Sequence, residues 1–309
     1  MAIQDIKEEF MSAFTLRTIV LGLLCFFAVP HANSQFGTGQ ASIGVPAGRP
    51  DVLLLPLLAA QQSGQIRVLK VTDGKLFQMG GVKASRGVHP DMGAKKLTLN
   101  FTNSEPGAEF SQHVHDYSDD TFLVLAGKVD VRQGDSRKPL FEGQAAFVPS
   151  GQIHGTITTG TGTTMISFQC PPDLALYTGV RDSSRPGAAP PKGVITPGAV
   201  KLIDFSKTSG FFTSPAMGSK RAAAAYRKLQ PGQTFSTRVE GDGEQMLFVW
   251  KGEISVKSKQ RTYKAGERET VFFLGPNAVE VRNDSSAESV VIQVQAPPNS
   301  EFAAETGKP

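Results

Sequence analysis

The sequence is poor in cysteine and in net charge, and it lacks long apolar segments at helical spacing. Its 309 residues include 2 cysteines, which excludes a disulfide-rich scaffold and a CxxC zinc site. Lys and Arg number 32 against 28 Asp and Glu, a net charge of +4 without a dense basic run, so no nucleic-acid partner is expected. The 32 Gly and 20 Pro can supply many turns between short strands, and we predict an all-β protein.

A short apolar segment near the N-terminus predicts export. The uninterrupted apolar run from Ile19 to Val29 follows an arginine and precedes small residues up to Ser34. A membrane-spanning helix needs about 20 apolar residues, so residues 1–34 are interpreted as a cleaved signal peptide and not as a membrane anchor. The residues before Met11 are net acidic, which makes Met11 an alternative start. We expect a periplasmic or secreted protein; the alternative is a cytosolic protein with an N-terminal amphipathic helix.

An internal repeat at an offset of 125 residues organises the rest of the chain. Residues 90–131 align with residues 215–256 without a gap, with 12 identities in 42 columns. Within this alignment PGAEFSQHVH lies over PGQTFSTRVE, and FLVLAGKVDV lies over LFVWKGEISV. Such self-similarity indicates a tandem duplication of one module. We expect an N-terminal arm at 35–64, modules at 65–180 and 201–296, a Pro- and Gly-rich linker at 181–200, and a frayed tail at 297–309.

Apolar and polar positions within each module alternate with a period of two. Phe122 and Val124 would share one face of a strand, with Leu123 and Leu125 on the other. Turn residues separate these short runs at regular spacing, which predicts a closed antiparallel sandwich or jelly roll. Several phenylalanines are expected to fill or line the first module: Phe101, Phe110, Phe122, Phe147 and Phe168.

Three histidines and one aspartate of the first module are spaced to converge. His113 and His115 stand two apart on a predicted strand, so both imidazoles point to the same face. Asp120 shares a face with the apolar residues of the next strand, and His154 follows a later turn. Three imidazoles and a carboxylate inside a barrel would bind one divalent transition metal.

The order of these residues resembles the two signature motifs of the cupin superfamily. The matching spacings are Gly107-x5-His113-x-His115-x4-Asp120-x6-Gly127 and Gly143-x5-Pro149-x-Gly151-x2-His154. The resemblance implies two tandem cupin barrels, each a jelly roll of the double-stranded β-helix type. It also implies Fe, Mn, Ni, Cu or Zn held by three His and a Glu. Asp120 is one methylene shorter than that Glu, so it could ligate the metal or act beside it as a base; its neighbour Asp119 would point out of the barrel.

The second module has lost every one of these ligands. At the 125-residue offset, His113 and His115 become Arg238 and Glu240, and the other two positions become Gln245 and Val279. Arg238 and Glu240 would share one face and form an ion pair. The alternative is that Arg238 receives an anionic ligand in a metal-free pocket.

The function implied by the resemblance is that of an exported bicupin metalloenzyme. Quercetinase-like dioxygenases are the most similar class, with Asp120 accepting the proton of a small aromatic or enolisable substrate. Tyr117, between His115 and Asp120, could donate a hydrogen bond to that substrate or pack locally in its turn. An isomerase, lyase or decarboxylase of a small organic acid is an alternative, as is a non-catalytic protein that binds a metal or small ligand, or a storage bicupin. Two barrels in one chain make a monomer feasible, with a homodimer as the alternative.

Overall fold

A computed structural model describes residues 64–79, 81–174, 193–204, 211–213, 219, 221–259 and 261–306. The predicted signal peptide, and the predicted arm up to residue 63, lie outside these residues. None of the helices within the described ranges is long and apolar enough to span a membrane. The chain is almost entirely β-structure, which confirms the predicted fold class.

The described residues of the first half of the chain form nine strands. They are β1 Ile66–Lys70, β2 Lys75–Met79, β3 Val82–Val88, β4 Leu99–Ser104, β5 Glu109–His113, β6 Asp119–Gln133, β7 Ser136–Phe141, β8 Gln144–Val148 and β9 His154–Cys170. Short 3-10 turns occupy Val71–Asp73 and Pro90–Met92. Strands β6 and β9 are long enough to pair with several neighbours each, and they close the antiparallel barrel.

In the second half, the part of the chain that the structure describes forms ten strands and one short helix. They are β10 Lys201–Asp204, β11 Phe211–Thr213, β12 Ala223–Leu229, β13 Thr234–Val239, β14 Glu244–Lys251, β15 Glu253–Lys257, β16 Thr262–Gly266, β17 Glu269–Leu274, β18 Asn277–Arg282, β19 Ser289–Ala296 and helix α1 Ser300–Thr306. A six-stranded sheet ordered β1-β17-β14-β19-β12-β11 faces a four-stranded sheet ordered β13-β18-β15-β16. Both halves are therefore antiparallel jelly rolls.

The two barrels exchange strands at their edges. Strand β1 precedes the first barrel in sequence but pairs along its whole length with β17 of the second, from Ile66 opposite Phe273 to Lys70 opposite Glu269. Strand β10 follows the linker but pairs with β8 of the first barrel. Each barrel thus extends one of its sheets with a strand that, in sequence, directly adjoins the other barrel.

The alternation predicted for the strands separates two kinds of core. On β6, Phe122 and Val124 point into the first barrel, whereas Leu123 and Leu125 point to the neighbouring barrel. Burying a large apolar side chain contributes about 2 kcal/mol, and the cluster between the barrels contains many of them. Three phenylalanines expected inside the first barrel lie in this cluster between the barrels: Phe101, Phe147 and Phe168.

Two segments outside the barrels are ordered by contacts with them. The described part of the predicted linker docks on the first barrel, where Val194 forms a parallel bridge with Gln152. The prediction of a frayed tail is wrong for residues 300–306, which form helix α1. Phe302 of this helix is buried against Ala223 and Ala225, and this apolar contact fixes the segment.

Candidate metal centre

Three strands of the first barrel bring the predicted ligands together. His113 is the last residue of β5 and lies opposite His154, the first residue of β9. His115 follows β5 by two residues, and Asp120 is the second residue of β6. All four are buried, and their potential ligand atoms lie within 4.8 Å of one another.

Local backbone geometry allows this approach. Gly151 has a φ of 83°, a left-handed conformation that suits glycine, in the turn that leads to His154. The amide of Gly151 also donates to the carbonyl of His115 at 2.7 Å, which connects the two ligand-bearing segments. A Cβ on Gly155 would lie 2.7 Å from the carbonyl oxygen of Phe110, so only glycine lets β9 approach β5 beside His154.

Each histidine is oriented by a hydrogen bond on its outward-facing nitrogen. His113 Nδ1 donates to the carbonyl of Ser111 at 2.9 Å, and His154 Nδ1 donates to the carbonyl of Gln152 at 3.0 Å. His115 Nδ1 instead lies 2.8 Å from a carboxylate oxygen of Asp173. A proton on Nδ1 leaves Nε2 as the ligand atom, so all three imidazoles offer Nε2 to the centre.

The inward atoms are arranged as a set of donors for a cation. His113 Nε2 and His115 Nε2 are 3.1 Å apart, and Asp120 Oδ2 lies 3.5 Å from His115 Nε2 and 3.4 Å from His154 Nε2. The other oxygen of Asp120, Oδ1, is buried without a hydrogen-bond partner. Buried carboxylate oxygens are rarely left unpaired, and three imidazoles with one carboxylate suit a divalent transition metal. The four residues form a metal-binding cluster for one such ion.

The pKa shifts in the metal-free cluster indicate which of the ligands are charged before a metal binds. Burial and the neighbouring imidazoles lower the pKa of His113 well below its usual value. Burial also opposes charge on His115, but hydrogen bonds to Asp120 and Asp173 raise its pKa to about 9. For Asp120, the proximity of His115 and His154 outweighs burial and holds its pKa below the usual range. Without a metal, the cluster thus combines a neutral His113 with a negatively charged Asp120. The proton on His115 supplies the positive charge that a bound metal ion would otherwise supply.

Apolar and amide side chains form the immediate surroundings. The ring of Phe110 lies 4.8 Å from that of His113, and Phe122 stacks at 6.5 Å from His154. The amide nitrogen of Gln169 lies 3.3 Å from His115 Nε2. Of the five phenylalanines considered from the sequence, these two contact the ligands.

The other residues considered from the sequence lie farther out. Tyr117 is 77% exposed in the turn before β6, and its proposed hydrogen bond to a substrate stays a prediction. Asp119 points away from the cluster, as the period of two predicts, and contacts Arg221 of the second barrel.

The equivalent positions of the second barrel hold residues that pair with one another or join its core. Arg238 forms the predicted ion pair with Glu240 at 3.2 Å, and it also pairs with Glu301 of helix α1. Gln245 accepts hydrogen bonds through its side-chain oxygen from neighbouring polar side chains. Val279 belongs to the apolar core of that barrel.

Sequence reasoning missed Asp173, which bonds directly to a metal ligand. A signal for it was present, because Gln169-Cys-Pro-Pro-Asp173 recurs near the end of the second module as Gln295-Ala-Pro-Pro-Asn299. The two copies of this sequence are 126 residues apart. The gap-free alignment of the modules, at an offset of 125, ends before them and so does not include them.

Comparison with known proteins supports the same family. Residues 100–168, which include all four ligands, match the family model described as a cupin domain. A search of curated proteins finds no match to this chain. Among solved structures, a Bacillus subtilis oxalate decarboxylase with Mn(II) centres is 14% identical, with a TM-score of 0.59 over 75% of this chain and 77% of that chain.

Two further structures have the same fold. A Lactobacillus farciminis oxalate decarboxylase in a formate complex is 13% identical, covers 75% of this chain and 86% of its own, and has a TM-score of 0.58. The Escherichia coli pirin YhhW in complex with nickel(II) is 16% identical, covers 76% of this chain and 100% of its own, and has a TM-score of 0.58. The family match identifies residues 100–168, across the ligand-bearing strands, as a cupin domain, and the chain shares the fold of these structures.

Proposed function

We propose that the protein is a mononuclear metal-dependent dioxygenase, similar to quercetinases, that acts on a small aromatic or enolisable substrate at the first-barrel centre. The observation that carries this proposal is the state of Asp120. Asp120 Oδ2 lies 3.5 Å from His115 Nε2 and 3.4 Å from His154 Nε2, while Oδ1 is buried and has no hydrogen-bond partner. A charged carboxylate with an unused oxygen beside the ligands can accept a proton from a substrate hydroxyl.

The remaining residues define what kind of molecule would bind. A divalent transition metal at these ligands supplies a Lewis acid with open coordination positions. Phe110 and Phe122 provide apolar surface next to His113 and His154. The amide of Gln169 is a polar group close to His115 that can orient a substrate oxygen. This combination suits a flat, largely apolar molecule with an acidic hydroxyl.

The distribution of charge favours such a substrate over a small diacid. No Lys or Arg in the described ranges forms an ion pair with any of the four ligands. Asp120 and Asp173 already place two carboxylates at the centre. A dianionic substrate would therefore have only the metal to balance its charge. A neutral enol or phenol would enter uncharged and become anionic only when Asp120 accepts its proton.

A second candidate is a metal-dependent decarboxylase, lyase or isomerase of a small organic acid. Its support is that oxalate decarboxylases share the double-barrel fold at 13% to 14% identity. A third candidate is a metal- or ligand-binding protein without turnover. We further propose that the protein is exported, on the strength of the apolar run Ile19–Val29, and that it works as a monomer or homodimer.

Oxygen consumption tests the proposed reaction. The chain from Gln35 onward would be loaded separately with Fe, Mn, Ni or Cu and assayed in an oxygen electrode with flavonols and catechols. We expect metal-dependent oxygen uptake that His115→Ala abolishes and that Asp120→Asn lowers by about a hundredfold or more in kcat. Arg238→Ala, at the equivalent position to His113 in the second barrel, serves as the matched control and should leave the uptake unchanged.

The other candidates give different results in the same assay. Release of CO2 from an organic acid without net oxygen uptake would favour the decarboxylase. Thermal stabilisation by a ligand without any turnover would favour the binding protein. Either result, with no oxygen uptake for any metal and substrate, would contradict the dioxygenase.

A further inference from the structure

Asp173 stands directly behind one of the metal ligands. Its Oδ2 lies 2.8 Å from His115 Nδ1, and the side chains of Asp173 and His115 are only 9% and 2% exposed. The other two histidines make the corresponding bond to uncharged backbone carbonyls, those of Ser111 and Gln152. His115 is thus the one ligand of the three whose outward nitrogen meets a carboxylate.

The backbone at Asp173 has a counterpart in the second barrel. Gln169 lies opposite Asp120 across β6 and β9, and Gln295 lies opposite Gln245 across β14 and β19. Four residues after each glutamine, a backbone amide donates to its side-chain oxygen: Asp173 N to Gln169 at 3.4 Å, and Asn299 N to Gln295 at 2.8 Å. Both barrels therefore use the same turn after their last long strand.

The residue at the end of this turn is a carboxylate in the barrel that has the metal ligands and an amide in the barrel that has lost them. Where His115 is present, the residue is Asp173; where Glu240 replaces that histidine, the residue is Asn299. Asn299 donates through Nδ2 to the carbonyl of Arg238 at 2.8 Å, so the turn holds without a carboxylate. The negative charge of Asp173 is thus not needed for the turn and is found only beside the metal-binding cluster.

From this relationship we propose that Asp173 is a positioning residue of the metal centre. It fixes the His115 ring with Nδ1–H outward and Nε2 toward the ion, and its charge makes that imidazole a stronger donor to a cation. Mutating such outer partners of ligating histidines typically weakens metal binding about 10- to 100-fold. The inference concerns retention of the metal and goes beyond the proposed dioxygenase activity, since it holds for any reaction at the site.

Metal affinity, measured without substrate, tests the proposal. Asp173→Asn removes the charge but keeps an oxygen that can accept from His115, and Asp173→Ala removes both. Asn299→Ala makes the same truncation in the metal-free barrel and is the matched control. The dissociation constant for Co²⁺ would be measured by competition with a chelator, together with the visible spectrum of bound Co²⁺ and the melting temperature of each metal-free variant.

At alkaline pH, where protons compete least with the metal for the imidazoles, we expect both Asp173 variants to bind Co²⁺ about 10- to 100-fold more weakly and to shift its visible absorption bands, while Asn299→Ala binds it like the unmodified protein. Wild-type affinity and an unchanged spectrum in Asp173→Asn would overturn the proposal. An equal loss of affinity in Asn299→Ala would overturn it as well, because the effect would then follow from general destabilisation. Since no turnover is measured, a failed oxygen assay leaves this test intact.

Discussion

Asp119 and Glu244 occupy equivalent positions 125 residues apart, and each accepts hydrogen bonds from the segment that begins the repeat in the other barrel. Asp119 accepts from the Ser219 hydroxyl and from Arg221 Nη1, both at 3.3 Å. Glu244 accepts from the backbone amides of residues 95, 96 and 97 at 2.6 to 3.1 Å. The two carboxylates therefore join the barrels by reciprocal contacts that flank the shared apolar core.

Removing the Glu244 carboxylate should destabilise the whole protein. Glu244→Ala leaves three backbone amides at the interface without their acceptor, and we expect a loss of about 3 kcal/mol in the free energy of unfolding. Asp242→Ala is the control, because that carboxylate pairs with Lys96 nearby but is 90% exposed, and it should change stability by less than about 0.5 kcal/mol. Urea denaturation measures both values, and equal effects would contradict the role given to Glu244.

Metal binding should be confined to the first barrel. The purified chain should hold about one equivalent of a divalent transition metal, because three imidazoles and one carboxylate converge at one place. His113→Ala should lose the metal, whereas Arg238→Ala, the same position in the repeat, should retain it. Elemental mass spectrometry measures the content; retention of a full equivalent in His113→Ala would refute the assignment of the site.

Metal affinity should depend on pH through His115. In the metal-free protein, its bonds to Asp120 and Asp173 raise the pKa of His115 from 6.5 to about 9, so a metal binding near neutral pH must displace a proton. Apparent affinity should rise by up to about tenfold per pH unit below the raised pKa of His115 and level off above it. Calorimetry in buffers of different ionisation enthalpy measures the proton release, and a value near zero at neutral pH would exclude this competition.

The same raised pKa has a consequence for the stability of the metal-free protein. Protonated His115 stabilises the folded state fully below pH 6.5, the ordinary pKa, and this contribution is lost as the pH rises through about 9. Asp173→Asn should reduce the pH dependence over this interval, because it removes one of the two carboxylates that hold the proton.

The glycine beside His154 should not tolerate a side chain. A Cβ at Gly155 would lie 2.7 Å from the carbonyl oxygen of Phe110 and 2.9 Å from the amide of Gln112, so Gly155→Ala must push β5 away from β9. We expect a loss of about 2 kcal/mol in stability and weaker metal binding. Gly266→Ala, where the nearest atom is 3.9 Å away, is the control and should affect neither property.

The fold and the ligand set could be predicted because both depend on local patterns. Alternation with a period of two fixes which face of a strand is buried, so Asp120 and Phe122 could be assigned to the interior from β6 alone. The spacing of His113 and His115 likewise places two imidazoles on one side. The histidines converge as expected, although β5 ends at His113 and His115 lies just beyond it.

The remaining features depend on tertiary packing that a single strand does not encode. Alternation distinguishes two faces but does not tell whether Phe147 faces the barrel interior or a second barrel, and it packs in the latter place. Asp173 is 58 residues from His115 in sequence, and no local spacing connects them. Helix α1 was missed because its apolar contact, Phe302 against Ala223, also joins distant segments.

The exchange of β1 and β10 means that neither barrel is a self-sufficient unit. A chain that ended before residue 201 would leave the outer edge of β8 without its partner, and its own β1 would have no β17 to join. Unpaired strand edges recruit other chains and promote aggregation. The second barrel, although it has lost the ligands, therefore covers the edge of β8 in the metal-binding barrel, and its removal would expose that edge to other chains.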